Sequence, residues 1–200
     1  MQAIDTTSSV LGNINNILSA GYHGIIRYIS PNTKNFPNKQ LTPDEISAVH
    51  SVPGMALGLV YENGYPTSVG YFSAAQGTAD ATDALATFTS LGVPATIPVF
   101  FAVDYDAADA DISGAILDYF TTVHAQFSAA GLLIGVYGSG ATCSYLQGAG
   151  VVHYTWLSQS RGFNGYSDWK PSADIIQGPE STIAGLDSDT DYVVNEVVLW

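Results

Sequence analysis

Residues Ile97–Asp106 read IPVFFAVDYD, an apolar run that ends in two acids. In an extended strand Phe100, Ala102, Asp104 and Asp106 share one face, and Val99, Phe101, Val103 and Tyr105 share the other. Neither face turns polar before the acidic end, which is the pattern of a parallel strand covered on both sides. The carboxyl ends of such strands are where α/β folds bind their ligands. Asp104 and Asp106 are therefore candidates for chemistry if the rest of the chain brings them partners.

Upstream, the spacing predicts strands at Met55–Tyr61, ended by Glu62, at Gly24–Ile29, with Arg27 and Tyr28 near its end, and at Gln2–Asp5. Helices separate them: one from Ser8 or Ser9 to Ala20, one opened by Thr42, Pro43 and Glu45, and one over 77–91. Thr42 and Glu45 have the spacing of a capping box, with Pro at the first helical position. Downstream, Ile112–Ala130 reads as a long helix and Leu132–Tyr137 as a strand, followed by a short helix to Gly148. His153–Leu157 and Ala173–Gln177 read as further strands around an aromatic loop, and the tail from Asp191 to Trp200 holds an eighth strand. Alternating strands and helices imply βα units. Eight strands imply a single (β/α)₈ TIM-type barrel over residues 1–200, with reduced helices in the second half.

Composition narrows the function. Eighteen acids against five bases give a formal charge of −13. That excludes a phosphate-binding face for nucleic acid, which needs clustered Lys and Arg, and electrostatic attachment to anionic lipid. No apolar run reaches the ~18 residues of a membrane span, so no membrane insertion is expected. Low Lys with abundant Ala, Gly, Ser and Thr suits an extracellular or cell-envelope protein, although no signal peptide is visible. Cys143 is the only cysteine, and His23, His50, His124 and His153 lack metal-ligand spacing. Asp187, Asp189 and Asp191 open like a calcium loop, but Tyr192 and Val198 stand where an EF-hand requires Gly and Glu. No metal or other cofactor is assigned.

The residues at the strand ends carry the functional reading: Asp5, Arg27, Glu62, Asp104 with Asp106, Tyr137, Trp156, Gln177 and Asp191. A barrel gathers them at one mouth. Crowded carboxylates raise one another's pKa, so one can stay protonated while another is ionised. Glycoside hydrolysis needs that division. Tyr137 and Trp156, with Phe163 and Trp169, suit the apolar faces of sugar rings, while Arg27 and Gln177 suit hydroxyl or acetamido groups. Plainer roles stand beside these. Asp106 can join Asp109 and Asp111 in favouring a helix amino end, Arg27 can be a counter-ion for the acids, Asp5 can cap a helix, and Asp80 and Asp83 read as a solvated helical turn.

Taken in order, AIDTTSS (3–9), GIIRYIS (24–30), LGLVYENG (57–64), IPVFFAVDYD, GVYGSG (135–140), DIIQG (174–178) and TDYVV (190–194) resemble the glycoside-hydrolase-like TIM-barrel domains of bacterial cell-envelope and phage proteins. More distantly the chain is similar to the Chalaropsis-type (family 25) lysozymes. The resemblance places Asp5, Asp104 and Asp191 at positions where those lysozymes carry acids on strands one, four and eight. Asp106 stands where they carry the proton-donating Glu, and Glu62 matches an acid that the glycoside-hydrolase-like domains carry after strand three. The resemblance implies a glycosidase acting on an amino-sugar polymer, specifically a peptidoglycan muramidase. Glu62 or Asp106 would be the acid and Asp104 the base or electrostatic partner, with Asp5 in support. Asp191, Arg27, Tyr137, Trp156 and Gln177 would bind substrate. The D-x-D in place of D-x-E motivates an alternative, a catalytically inactive carbohydrate-binding or envelope protein on the same scaffold. A third reading, a cation-assisted phosphate-ester hydrolase, rests on the acid cluster alone. Because bacterial walls are themselves anionic, a charge of −13 further implies delivery by a larger secreted or phage assembly, or a less anionic glycan.

Overall fold

The computed structural model describes all residues from Met1 to Trp200. The elements follow in order as β1 (Gln2–Asp5), α1 (Ile14–Ser19), β2 (Gly24–Tyr28), α2 (Pro43–His50), β3 (Ala56–Tyr61), α3 (Ala74–Leu91) and β4 (Val99–Ala102). Then come α4 (Asp109–Asp111), a π-helical turn (Ile112–Ile116) running into α5 (Leu117–Ala129), β5 (Ile134–Gly138), α6 (Gly140–Gly148), β6 (Tyr154–Leu157), α7 (Tyr166–Trp169), β7 (Ile175–Ile183) and β8 (Leu186–Val193). A 3₁₀ turn at Glu196–Val198 closes the chain. The eight strands form one closed barrel in sequence order.

The barrel is mixed, which departs from the uniform (β/α)₈ expectation. Strands β1 to β7 are parallel, but β8 is antiparallel to both β7 and β1. The reason is local. Only Ala184 and Gly185 separate Ile183 from its partner Leu186, and both have positive φ, 52° and 82°. A two-residue turn of that kind makes a hairpin and leaves no chain for a crossover helix. The eighth strand therefore lies upstream of where the tail pattern put it. The tail itself stoppers the bottom of the barrel. Trp200 pairs with Leu57 through two backbone hydrogen bonds of 2.7 and 3.0 Å. Leu199 sits so close to Gly58 that a Cβ there would lie 2.6 Å from its Cδ2, so any larger residue would have to push Leu199 aside.

Both faces of β4 are buried, as its sequence predicts. Phe100 points inward to a core with Ala3, Ile26, Val60, Trp156, Ile175 and Leu199. Phe101 and Val103 point outward to α5, where Phe120 and Phe127 cover them. Asp80, expected in a solvated turn, is only 1% exposed. Its carboxylate accepts hydrogen bonds from Tyr71 (2.6 Å), Tyr119 (2.7 Å) and Gln76 (2.9 Å), and so ties α3 to α5.

Arg27 also corrects an expectation. It is one residue out of phase with Ile26 and Tyr28, so it faces the helix layer and not the mouth. There it is 0% exposed and pairs with Glu45 at 3.1 Å, while also donating to the carbonyls of Thr6 and Asn38. It cannot touch a substrate in the barrel. Glu45 does two jobs, completing the capping box with Thr42 and neutralising Arg27. Removing one partner of a buried, hydrogen-bonded pair typically costs ~3–5 kcal/mol. Arg27→Ala is expected to lower unfolding free energy by about that amount in urea titration. A loss below ~1 kcal/mol would show that the pair does not hold α2 to the barrel.

Candidate active site

The inward positions of β4 lead up to Asp104. Its backbone N–H donates to the Pro66 carbonyl at 3.0 Å, anchoring the chain just beyond the strand to the loop after β3. Asp104 then lines a cavity of about 110 Å³ at the barrel mouth, with Asp5, Tyr28, Glu62, Tyr137, Trp156, Gln177 and Asp189. A larger cleft of about 480 Å³, walled by the β7–β8 hairpin, shares Asp5, Tyr28 and Asp189 with it.

Closing the barrel fixes the acids at its floor. The β1–β8 register sets Asp5 beside Asp189 and Ala3 beside Asp191, and β7 sets Gln177 beside Asp191. Gln177 is the hub. Its Oε1 accepts from Tyr137 Oη (2.8 Å) and from the backbone N–H of Gln159 (3.3 Å). That leaves its Nε2 to donate to Asp5 Oδ2 (3.2 Å) and Asp189 Oδ2 (3.3 Å). Tyr28 Oη donates to Asp5 Oδ1 at 3.4 Å. One layer deeper, Trp156 Nε1 donates to Asp191 Oδ1 at 2.9 Å, and Asp191 Oδ2 has no hydrogen-bonding partner of its own.

Burial and crowding shift these groups upward. Asp5, 3% exposed, is pushed to about 7, first by burial and then by the charge of Asp189. Asp191, 1% exposed, is held well above the usual carboxylate range, first by burial and then by Asp5. A proton kept on Asp191 can be donated to Asp5, so the two acids titrate as a pair. Asp189 rises to about 6 through burial and Glu180. Asp104 also rises to about 6, through partial burial in the concave mouth and then through Glu62 and Asp189. Tyr28 and Tyr137 are raised by burial and neighbouring carboxylates, so they stay neutral donors.

The structure brings Asp5, Glu62, Asp104, Tyr137 and Gln177 together. It does not bring Asp106 with them. β4 ends at Ala102, so the alternation that would align Asp106 with Asp104 stops. Asp106 is exposed, lines neither cavity, and its Oδ1 accepts the Asn164 backbone N–H at 2.8 Å. Trp156 lies in the floor, wedged edge-on against Phe100 and Tyr137, and is only 1% exposed. Its ring faces are not available to stack on a sugar. Asp191 supports the floor from below, one layer beneath the open space. Phe163 and Trp169 line neither cavity, and Trp169 donates to Thr155 Oγ1 outside the barrel.

Three site residues escaped the sequence reading. Asp189 shares its strand face with Asp191, and the DSDTD alternation was the available signal. Tyr28 follows Arg27 and takes the inward position expected for its neighbour. Lys39, in an irregular loop, donates to Glu62 Oε2 (3.1 Å) and to the Glu62 carbonyl (2.8 Å), and lies 4.5 Å from the centre of the Tyr28 ring. No group of three or more His, Cys, Asp or Glu side chains is placed to hold a metal ion, and no helix is long and apolar enough to cross a membrane.

A family model described as the Rv2525c-like, glycoside hydrolase-like domain matches residues 15–193. Among curated proteins, the chain is 29% identical over 156 residues to the uncharacterised protein YbfG of Bacillus subtilis strain 168. That match covers 72% of this chain and 21% of YbfG, so the chain spans about a fifth of that relative. Among solved structures, the Mycobacterium tuberculosis Tat-secreted protein Rv2525c in complex with L-tartrate superposes with a TM-score of 0.81 at 18% identity, covering 96% of this chain and 95% of that one. The catalytic domain of the endolysin ply40 from Listeria monocytogenes phage P40 superposes at 0.60 with 15% identity, covering 99% and 95%. At these identities the superpositions establish the shared fold.

The raised carboxylates have a consequence for stability. Between ~4 and ~7 the folded protein binds more protons at Asp5, Asp104, Asp189 and Asp191 than the unfolded chain does. Their contribution is full below the unfolded values and is lost as pH rises through the folded ones. Melting temperature is expected to rise on acidification from about pH 8 to about pH 5. Asp191→Asn supplies a permanent donor to Asp5 and removes one titrating site. It should stabilise the protein by ~1–2 kcal/mol near pH 8 and flatten the pH dependence. A destabilised, equally pH-sensitive variant would refute the paired titration.

Proposed function

The chain belongs to the Rv2525c-like glycoside hydrolase-like domain family, and on that premise we propose that its barrel mouth cleaves glycosidic bonds in an amino-sugar polymer, with peptidoglycan and muramidase activity as the specific case. The observation that carries this reading is Asp104. It is exposed at the mouth, shifted to about 6, and shares one cavity with Glu62 and Asp5, while Asp189, shifted alike, is less exposed and hydrogen-bonded to Gln177. Protonated Asp104 is suited to deliver a proton to the leaving glycosidic oxygen. Glu62 then supplies negative charge for the oxocarbenium-like transition state or activates water, with Asp5 in support as a neutral neighbour. Tyr28, Tyr137 and Gln177 offer an aromatic edge and polar groups for hydroxyls. The acid role thus moves to Asp104 from Asp106, which is engaged with the Asn164 loop, and from Glu62, which is paired with Lys39.

The same engagement of Asp106 favours a second reading, a glycan-binding domain without turnover, because the position where the related lysozymes carry their donor is turned away from the mouth. An extracellular or envelope location is supported by the secretion of Rv2525c, and delivery within a longer polypeptide by the much greater length of YbfG.

Reducing ends released from peptidoglycan and from chito-oligosaccharides measure the activity. Asp104→Asn is expected to lower the rate at least ~100-fold, far more than Asp106→Asn, and wild-type activity should fall as pH rises through about 6. Glycan binding with no product from either substrate supports the second reading. Undiminished turnover in Asp104→Asn removes the proposed mechanism.

A further inference from the structure

From the charge and shape of this same mouth, and resting on the glycan-hydrolase reading above, we infer that the amino sugar entering it carries a free ammonium group in place of an acetamido group. The substrate class is then a de-N-acetylated, cationic stretch of amino-sugar polymer.

Three independent features converge on that ligand. The cavity and its adjoining cleft are walled by six acids, namely Asp5, Glu62 and Asp104, with Glu180, Asp187 and Asp189 on the hairpin side, and no basic side chain lines either space. The protein has only five Lys and Arg residues. Arg27 is sealed outside the barrel with Glu45, and Lys39 is committed to Glu62. No cation is left at the mouth to receive a carboxylate-bearing substrate, and an anionic glycan would be repelled.

The second feature lies in the floor. Asp191 Oδ2 is buried just below the cavity and has no donor facing it from the protein. In the free protein a proton held by the Asp5–Asp191 pair fills that role. An ammonium arriving above Asp5 would stabilise the ionised pair and drive the proton out. The third feature is the set of neutral groups around the acids. Tyr28 and Tyr137 offer ring edges and hydroxyls at the height of Asp5, which suits a sugar and not a bare metal ion.

Isothermal titration with matched fully acetylated and fully de-N-acetylated chito-oligosaccharides, at about pH 6 and in buffers of different ionisation enthalpy, tests the inference. The de-N-acetylated oligomer is expected to bind at least ~10-fold more tightly, with proton release to the buffer. The preference should shrink in high salt and in Asp189→Asn. Equal or tighter binding of the acetylated oligomer would overturn the inference and leave the glycan-hydrolase reading intact. Preference without proton release, unchanged in Asp189→Asn, would overturn it as well, because the amine would be bound elsewhere. If neither oligomer nor peptidoglycan is bound or cleaved, the functional reading falls and the inference with it.

Discussion

Closure of the barrel by an antiparallel strand is the constraint on which the site depends. β8 enters between β7 and β1 from a two-residue turn, and its register leaves no freedom in where its side chains go. Inward positions of a strand alternate, so Asp189 and Asp191 both face the barrel interior once one of them does. One meets Asp5 directly and the other lies a layer below. The hydrogen bonds that seal the barrel therefore force three carboxylates into proximity without a cation. The repulsion is tolerated because Gln177, Tyr28 and Trp156 donate to them, and because the deepest acid keeps its proton. The hydrophobic plug below, Leu199 against Gly58 with Phe100 and Trp156, supplies stability in the half of the barrel that has no polar burden.

Much of this architecture was legible because it rests on local rules. The doubly apolar IPVFFAV run, the Thr42–Pro43–Glu45 helix start and the seven parallel strands follow from periodicity and capping alone. Asp5, Glu62, Asp104, Tyr137 and Gln177 converge on one cavity because each ends or follows a strand whose pattern is clear. The misses have one physical root, the phase of a strand near its end. Arg27 and Tyr28 are adjacent, and a single residue of phase decides which one sees the mouth and which one sees the helix layer. Asp106 falls on the inner face only if the alternation of β4 continues past Ala102, and there the chain leaves the sheet to reach Pro66 and Asn164. Asp189 was hidden because DSDTD looks like a cation loop until the turn at Ala184–Gly185 makes it a strand. Asp80 looks like a solvated helical residue because nothing in its own turn marks Tyr71, in the preceding loop, or Tyr119, on α5, which bury it.

The shortage of positive charge links fold and chemistry. With Arg27 holding α2 and Lys39 holding Glu62, the proton is the mobile cation left to the mouth. It is most strongly held where water is least able to solvate a carboxylate, at Asp191 and Asp5. It is held less strongly at Asp104, where solvent reaches the rim. That gradient suits the proposed acid catalysis, in which the exposed end would lose its proton to a leaving group while the buried end stays neutral and keeps the floor intact. A barrel closed by a strand without acids would be more stable and would have no such reserve. The price of the site is thus set by the same register that closes the fold.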